Sequence, residues 1–377
     1  MILHIFESNG IFVNTAIKCF DNLGNVNHYI VIGKKKELDE KNDNGNITYI
    51  NSLNRKTRKQ INAEVGKYNL ILFHGLFGKS INILKSIRTS KNVKIGWIIY
   101  GTELAFNRLN PHYYLQPKTK LIYYKTGPYR IILPVYRYFI RLLKRDLYSL
   151  QSKVDYVFHF MPQEIEIAEQ LFHRNFSKLW FTYVLMEDFV GNDFLDSRCE
   201  KNGNILIGNS SSFSSNHADI FYKLKDSDYL NKTTVYVPLS YGNKIYANHV
   251  AKVGKKILGN SFLPLTKFIA QKEYHKILLS CSCVIMNHNR QQALGNIIVA
   301  LWLGSKVYLK EGTSTFQYFK NLGIYIYSIE NDLDSHNQNS FESLSDEQLI
   351  TNREILMKVF GKETYLHNIS SSFNQFI

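Results

Sequence analysis

The chain has 377 residues, 45% apolar and 20% charged, and its 46 Lys and Arg against 31 Asp and Glu give a net charge of +15. That length exceeds one ordinary hydrophobic core and calls for two domains, and the composition excludes a disordered chain. No uninterrupted apolar run approaches the roughly 20 residues of a membrane span.

Met1-Ile2-Leu3-His4-Ile5-Phe6 reads as a first strand rather than a secretory leader. Further short β-branched or aromatic runs predict strands over His28–Ile32, Leu70–Phe73, Lys94–Tyr100 and Val154–Phe160. Apolar residues at helical spacing fall between them, over Phe12–Phe20, Ile81–Ile87 and Glu164–Phe172, and the charged segment Lys34–Asn46 reads as a loop. Between Lys118 and Arg145 stand eight Lys or Arg and no acidic residue, interleaved with tyrosines. After Pro134, Val135, Phe139, Leu142 and Leu143 share one helical face, and Arg137, Arg141, Lys144 and Arg145 share the opposite one. Such a helix suits an anionic membrane surface, and equally a core-packed helix with a solvated basic face.

Residues 186–203, polar with Gly191 and Gly203, read as a linker between a domain of residues 1–185 and one of residues 204–345. The second domain repeats the alternation, with strands Ile205–Ile207, Val235–Pro238, Cys283–Met286, Lys306–Leu309 and Ile324–Ile329 and helices Lys272–Ser280 and Ile297–Leu303. Helices over Asp346–Phe360 and Thr364–Phe376 close the chain, the segment 346–377 packing back toward the N-terminal domain. The expected fold class is α/β, two Rossmann-like doubly wound domains facing a cleft.

Polar residues collect where the predicted strands end. Glu7, His74-Gly75 and Gly101-Thr102-Glu103 do so in the first half, and Gly208-Asn209-Ser210-Ser211-Ser212, Ser240-Tyr241-Gly242 and Asn287-His288 in the second. Parallel strands bring their carboxyl ends to one edge, so each half focuses these groups at a site. The ten residues Asn287–Asn296 lie between a buried strand and a helix start, where free N–H groups favour an anion. There Arg290, Gln291, Gln292, His288 and Gly295 suit a phosphate-bearing, hydroxyl-rich ligand. A base for a neutral hydroxyl nucleophile would come from Glu103, His74 or Glu7, with Glu103 first because it follows a sharp exit from an apolar strand; a helix-capping carboxylate is the other reading there. No GxGxxG opens a first βαβ unit, no GxxxxGK[ST] occurs, and the histidines are scattered, so neither a dinucleotide nor a metal is expected. Cys19, Cys199, Cys281 and Cys283 form no CxxC pair and read as reduced core thiols, which fits the cytoplasm. The positive charge attracts nucleic acid, anionic lipid and phosphorylated substrates alike, and no recognisable RNA or DNA module favours the first.

Several longer stretches carry a resemblance. They are Ile207-Gly208-Asn209-Ser210-Ser211 with Asn216-His217, Val237-Pro238-Leu239-Ser240-Tyr241-Gly242 with Tyr246, Phe262-Leu263-Pro264-Leu265, and Asn287-His288 followed by Arg290-Gln291-Gln292-Ala293-Leu294-Gly295-Asn296. In the first half the match thins to Phe73-His74-Gly75 and Trp97-Ile98-Ile99-Tyr100-Gly101-Thr102-Glu103. In these residues the chain resembles the 4-alpha-L-fucosyltransferases of glycosyltransferase family 56. Those enzymes move N-acetylfucosamine from its TDP donor to lipid II, the polyprenyl-linked disaccharide of enterobacterial common antigen. At the last motif that family commonly reads W-x-x-W-G-x-D, from which Tyr100 and Glu103 depart conservatively. The acidic positions of the retaining GT-B pattern are replaced by Gln291-Gln292-Ala293-Leu294 and Val299-Ala300-Leu301-Trp302.

The resemblance implies a GT-B fold and an inverting transfer without metal or other cofactor. It implies a TDP-linked nucleotide-sugar donor, a polyprenyl-diphosphate-linked glycan acceptor, and a peripheral position on the cytoplasmic face of the bacterial inner membrane. Gly208, Asn209, Ser210, Tyr241, Asn287, His288, Arg290, Gln291, Gln292, Gly295 and Asn296 would then bind the donor. Glu103, or failing that His74 or Glu7, would deprotonate the acceptor, and Arg137, Arg141, Lys144 and Arg145 would meet anionic lipid. The rivals are a basic nucleic-acid-binding protein and a GT-B enzyme using another nucleotide-sugar.

Overall fold

The computed structural model describes residues 1–7, 10–21, 23, 26–33, 46–107, 114–126 and 151–376. The basic segment carrying Arg137, Arg141, Lys144 and Arg145 and most of the loop expected over Lys34–Asn46 lie outside the described residues. Contacts divide the chain into two units. One holds Met1–Arg108, Arg137–Tyr183 and Tyr365–Ile377; the other holds Leu109–Tyr136 and Val184–Thr364.

The first unit is built on a sheet of β1 (Ile2–Phe6), β2 (Asn27–Val31), β3 (Ile47–Tyr49), β4 (Leu70–His74), β5 (Lys94–Ile98), β6 (Tyr156–Phe158) and β7 (Ser177–Leu179). Their order is β3-β2-β1-β4-β5-β6-β7, and each neighbouring pair is parallel. The central strands β1 and β4 are buried along their whole length, which is why both read as unbroken apolar runs apart from His4 and His74. Alternation along the strands divides the side chains between two faces. Leu3, Ile5, Ile71, Phe73, Ile95 and Trp97 join one core cluster with Ile61, Ile83, Leu84, Ile165 and Phe172 of helices Arg55–Glu64, Gly78–Ser86 and Pro162–Phe172. On the other face Phe20 stacks on Phe181 at 5.5 Å, and Phe373 meets Phe20 and Phe158 at 4.9 Å each. Helix Ile11–Asp21 and the last helix, Lys362–Phe373, thus cover that face.

The second sheet comprises β8 (Asn204–Ile207), β9 (Val235–Pro238), β10 (Phe262–Leu265), β11 (Cys281–Met286), β12 (Lys306–Leu309) and β13 (Tyr327–Ser328), in the order β10-β9-β8-β11-β12-β13. Its neighbouring pairs are also parallel. Ile205, Ile207, Val235, Val237, Cys283 and Ile285 pack with Phe221, Tyr246, Val250 and Ile122. The last of these belongs to helix Pro117–Thr126, which stands between β5 and β6 in sequence yet packs in the second unit.

Two expected boundaries shift. Residues 186–203 begin with helix Met186–Val190, whose Met186 and Val190 are fully buried against helix Leu294–Leu303, so this stretch is part of the second unit's packing rather than a free linker. Within 346–377, helix Asp346–Phe360 stays in the second unit, and only the residues from Tyr365 onward belong to the first. Strands β3, β7 and β10 are additions to those expected, and the strand expected over Ile324–Ile329 shrinks to Tyr327–Ser328.

Candidate functional site

In a doubly wound sheet the ligand crevice lies outside the carboxyl ends of the strands, where the strand order reverses. That point falls between β8 and β11 in the second unit and between β1 and β4 in the first.

In the second unit, Gly208 leaves β8 at φ +71°, and a Cβ there would meet Nε2 of His217 at 2.6 Å, so only glycine fits. The next residue, Asn209, donates from Nδ2 to the Tyr241 hydroxyl at 2.8 Å and accepts at Oδ1 from Gln292 Nε2 at 2.9 Å. Gln292 in turn accepts the Ser214 hydroxyl at 2.6 Å. Arg290 donates to Ser214 Oγ at 3.5 Å and to the Gln291 carbonyl at 2.8 Å. Loops from the ends of β8, β9 and β11 are therefore tied into one chain of amides and hydroxyls that includes a guanidinium. Tyr241 stands 58% exposed at its rim. Ser210 is buried, and its carbonyl holds the Ser215 hydroxyl at 3.2 Å. His217 and His288 are both buried with Nε2 unpartnered among the described residues. Burial takes His217 down to about 3; burial, then Arg290 and His217, holds His288 well below the usual imidazole range, so both rings are neutral at pH 7.

Three sequence-named residues have other employment. Asn287 gives its Nδ2 hydrogens to Gln116 Oε1 at 3.0 Å and the Asn216 carbonyl at 3.2 Å, and its Oδ1 accepts from Gln116 Nε2 at 2.6 Å. It knits loops together instead of facing outward. Gly295 is required by packing, since a Cβ would meet the Phe189 ring at 2.6 Å. Asn296 donates to the Tyr274 hydroxyl at 3.3 Å.

In the first unit a pocket of about 460 Å³ is lined by Phe6, Glu7, Gly10, Phe12, His74, Phe77, Lys79 and Tyr100. Glu7 is fixed at the start of helix Gly78–Ser86, accepting from the backbone N–H of Lys79 at 3.1 Å and of Ser80 at 3.3 Å and from the Ser80 hydroxyl at 3.1 Å. His74 lies at the pocket floor, with Nε2 3.0 Å from His4 Nδ1 and Nδ1 paired with the Tyr183 hydroxyl. Burial, then the neighbouring His4 ring, holds it well below the usual imidazole range.

Glu103 is elsewhere. Its Oε1 accepts from the Trp97 indole at 3.1 Å and the Tyr100 N–H at 2.8 Å, and its Oε2 is buried without a partner among the described residues. Trp97 belongs to the face of the sheet opposite His74. The structure thus brings Glu7 and His74 into one pocket and leaves the first-ranked base, Glu103, out of its lining. Burial, partly opposed by those hydrogen bonds, pushes the Glu103 carboxyl up to about 7.

Sequence reading missed Tyr183, His4, Ser214 and Gln116. Ser214 stands two residues beyond the serine-rich stretch 208–212 already singled out. Gln116 carries no local signal, because tertiary packing alone brings it to Asn287. Among the described residues, no group of three or more His, Cys, Asp or Glu is placed to hold a metal ion, and no helix is long and apolar enough to cross a membrane.

Two parallel-sheet α/β units, each with its polar loops at the point of reversal, define a GT-B glycosyltransferase fold, and solved structures agree. A glycosyltransferase from Rickettsia africae matches with a TM-score of 0.62 at 12% identity, covering 100% of this chain and 98% of that one. Anabaena Alr3699/HepE in complex with UDP and glucose gives 0.57 at 11%, covering 98% and 92%. An α,α-trehalose-phosphate synthase from Burkholderia xenovorans in complex with glucose-6-phosphate gives 0.59 at 8%, covering 100% and 98%. No curated protein sequence matches the chain. The family model for 4-alpha-L-fucosyltransferase, glycosyl transferase group 56, matches residues 135–351, and the chain belongs to that family. It is a glycosyltransferase.

Proposed function

We propose that this glycosyltransferase moves a TDP-activated amino-deoxy sugar of the N-acetylfucosamine kind, with inversion, onto a polyprenyl-diphosphate-linked oligosaccharide. The product would belong to a bacterial surface polysaccharide, enterobacterial common antigen or an O-antigen-like glycan. The observation that carries the reading is the chain Tyr241–Asn209–Gln292–Ser214–Arg290, inside the segment matched by the family model.

In this mechanism Arg290 and the serine-rich loop after Gly208 hold the diphosphate, while His288, Gln291 and Gln292 meet its sugar side. The acceptor oxygen forms a bond to the anomeric carbon as the bond from that carbon to the diphosphate oxygen breaks, its electron pair leaving with TDP. Arg290 stabilises the charge that develops there, so no metal or other cofactor takes part. Glu7 receives the acceptor proton: of the three candidates it and His74 line the pocket, and both ring nitrogens of His74 are already hydrogen-bonded. The basic segment carrying Arg137, Arg141, Lys144 and Arg145 would hold the enzyme, without nucleic acid, against the anionic cytoplasmic face of the inner membrane. Replacing all four by Gln should abolish flotation with anionic vesicles at low salt; undiminished flotation would discard that role.

Thermal-shift measurements with TDP-, UDP- and GDP-sugars test the donor. The TDP-sugar should raise the melting temperature most, since a ligand stabilises by the logarithm of its concentration over Kd. The UDP bound to Anabaena HepE makes UDP the competing donor, and a larger shift with UDP-sugars would select it. Arg290→Ala should weaken TDP by about 1.5–3 kcal/mol, as for a lost charge-assisted contact. Absence of any nucleotide-dependent shift in the wild type would sink the proposal.

A further inference from the structure

Tyr100, Tyr183, His74, His4 and Asn27 form one hydrogen-bonded file that runs inward from the pocket of the first unit. Its polarity is set from the inner end. Asn27 donates from Nδ2 to the Phe20 carbonyl at 3.0 Å, so its Oδ1 faces His4 Nε2 at 3.2 Å and accepts from it. Burial takes His4 down to about 3 and holds His74 low as well, so each ring is neutral and carries one N–H. With His4 donating to Asn27, its Nδ1 is an acceptor, and His74 donates to it from Nε2. His74 Nδ1 then accepts the Tyr183 hydroxyl hydrogen. The Tyr183 oxygen, with its hydrogen committed, accepts from the Tyr100 hydroxyl at 3.0 Å. Tyr100, which lines the pocket, therefore ends the file with its hydrogen turned inward and its oxygen left as an acceptor.

We propose that this file fixes the Tyr100 oxygen as a hydrogen-bond acceptor, making the pocket a saccharide subsite that recognises a ligand hydroxyl. The inference rests on the acceptor-side reading of the first unit given above. Glu7 supplies a second acceptor in the same lining. The aromatic side chains offer apolar surface to a pyranose ring: Phe12 is 44% exposed, and the rings of Phe12 and Phe77 lie 5.2 Å and 6.0 Å from that of Tyr100. A ligand hydroxyl donates its one hydrogen to the Tyr100 oxygen and a second hydroxyl can donate to Glu7, whereas an ether oxygen in either place would face lone pairs. Tyr100 touches the ligand; Tyr183, His74, His4 and Asn27 are positioning residues that act through it.

Two measurements test this. Nitrogen-15 spectra of the full chain with ring-labelled histidine, near pH 7, should show His4 and His74 both in the Nε2–H form. His74 in the Nδ1–H form would overturn the polarity, and no substrate or variant is needed to see it. Saturation-transfer titration with the methyl β-glycosides of glucose and N-acetylglucosamine should give binding that Tyr100→Phe weakens about tenfold, the loss expected of one hydrogen bond. TDP affinity should persist in the same variant. Absence of glycoside binding to the wild type, or equal binding by the variant, would overturn the subsite. Failure of the wild type to bind any nucleotide-sugar would instead count against the donor reading alone.

Discussion

A carboxyl group taken out of water holds its proton more tightly, and Glu103 is the clearest case in this chain. Its side chain is 2% exposed, with one oxygen bonded to Trp97 and Tyr100 and Glu164 close enough to raise its pKa further. The folded value near 7 lies above the ordinary 4.5, so the folded state binds the proton more strongly than the unfolded one. The stability this provides is complete below about pH 4.5 and is lost as pH rises through 7. Glu103→Gln keeps the accepting oxygen and removes the titration. Its stability relative to wild type should therefore rise by on the order of 3 kcal/mol between pH 4.5 and pH 9, measured by urea unfolding. A difference independent of pH would mean that the carboxyl is hydrated. At this scale the sequence identified residue types better than their tasks. Arg290, Gln292, Asn209 and Tyr241 were legible because a cation, amides and a tyrosine stood at strand exits. The roles of Asn287 and Gly295 were not, because Gln116 and Phe189 come to them from distant parts of the chain.

Helix Gly78–Ser86 opens with no acidic residue of its own, and Glu7 from the end of β1 fills that need. A carboxylate there satisfies free N–H groups and the positive end of the helix at once. Glu7→Gln should cost only about 1 kcal/mol of stability. As the proposed base, however, its loss should lower turnover by roughly 100-fold or more with TDP affinity unaltered. Steady-state kinetics beside calorimetry separates the two effects, and near-normal turnover would move the base elsewhere. Elements were legible where a period or a cap was strong. Asp346–Phe360 was readable to its ends, and the structure adds a capping box in which Ser345 and Gln348 bond reciprocally. Strands β3 and β7 were not, being edge strands of three residues each. Helix Lys244–Leu258 was hidden by its many lysines, although Tyr246, Val250, Gly254 and Leu258 mark a buried stripe at helical spacing.

At the scale of the whole molecule, two α/β units were foreseeable from the repeated alternation, but their chain composition was not. Hydrophobic periodicity shows that a helix has a buried face without saying which sheet it covers, so Pro117–Thr126 could not be assigned to the second unit in advance; the closing segment 346–377 was expected to pack back toward the first domain, and its part from Tyr365 onward belongs there. Phe373 is fully buried between Phe20, Phe158 and Phe181. Phe373→Ala should remove about 3–5 kcal/mol from the first unit, the cost of truncating a buried aromatic. Hydrogen exchange should accelerate at β1 and β4 and stay slow at β11; equal acceleration at both sheets would show that the units do not respond separately.

The first unit needs residues 365–376 to close the face lined by Phe20 and Phe158, and a ribosome makes them only after every residue of the second unit. Of the two units, the one whose synthesis starts earlier is therefore the one that can be completed last. Until Phe373 arrives, Phe20 and Phe158 lack the ring that covers them, and the nascent first sheet carries an open aromatic surface.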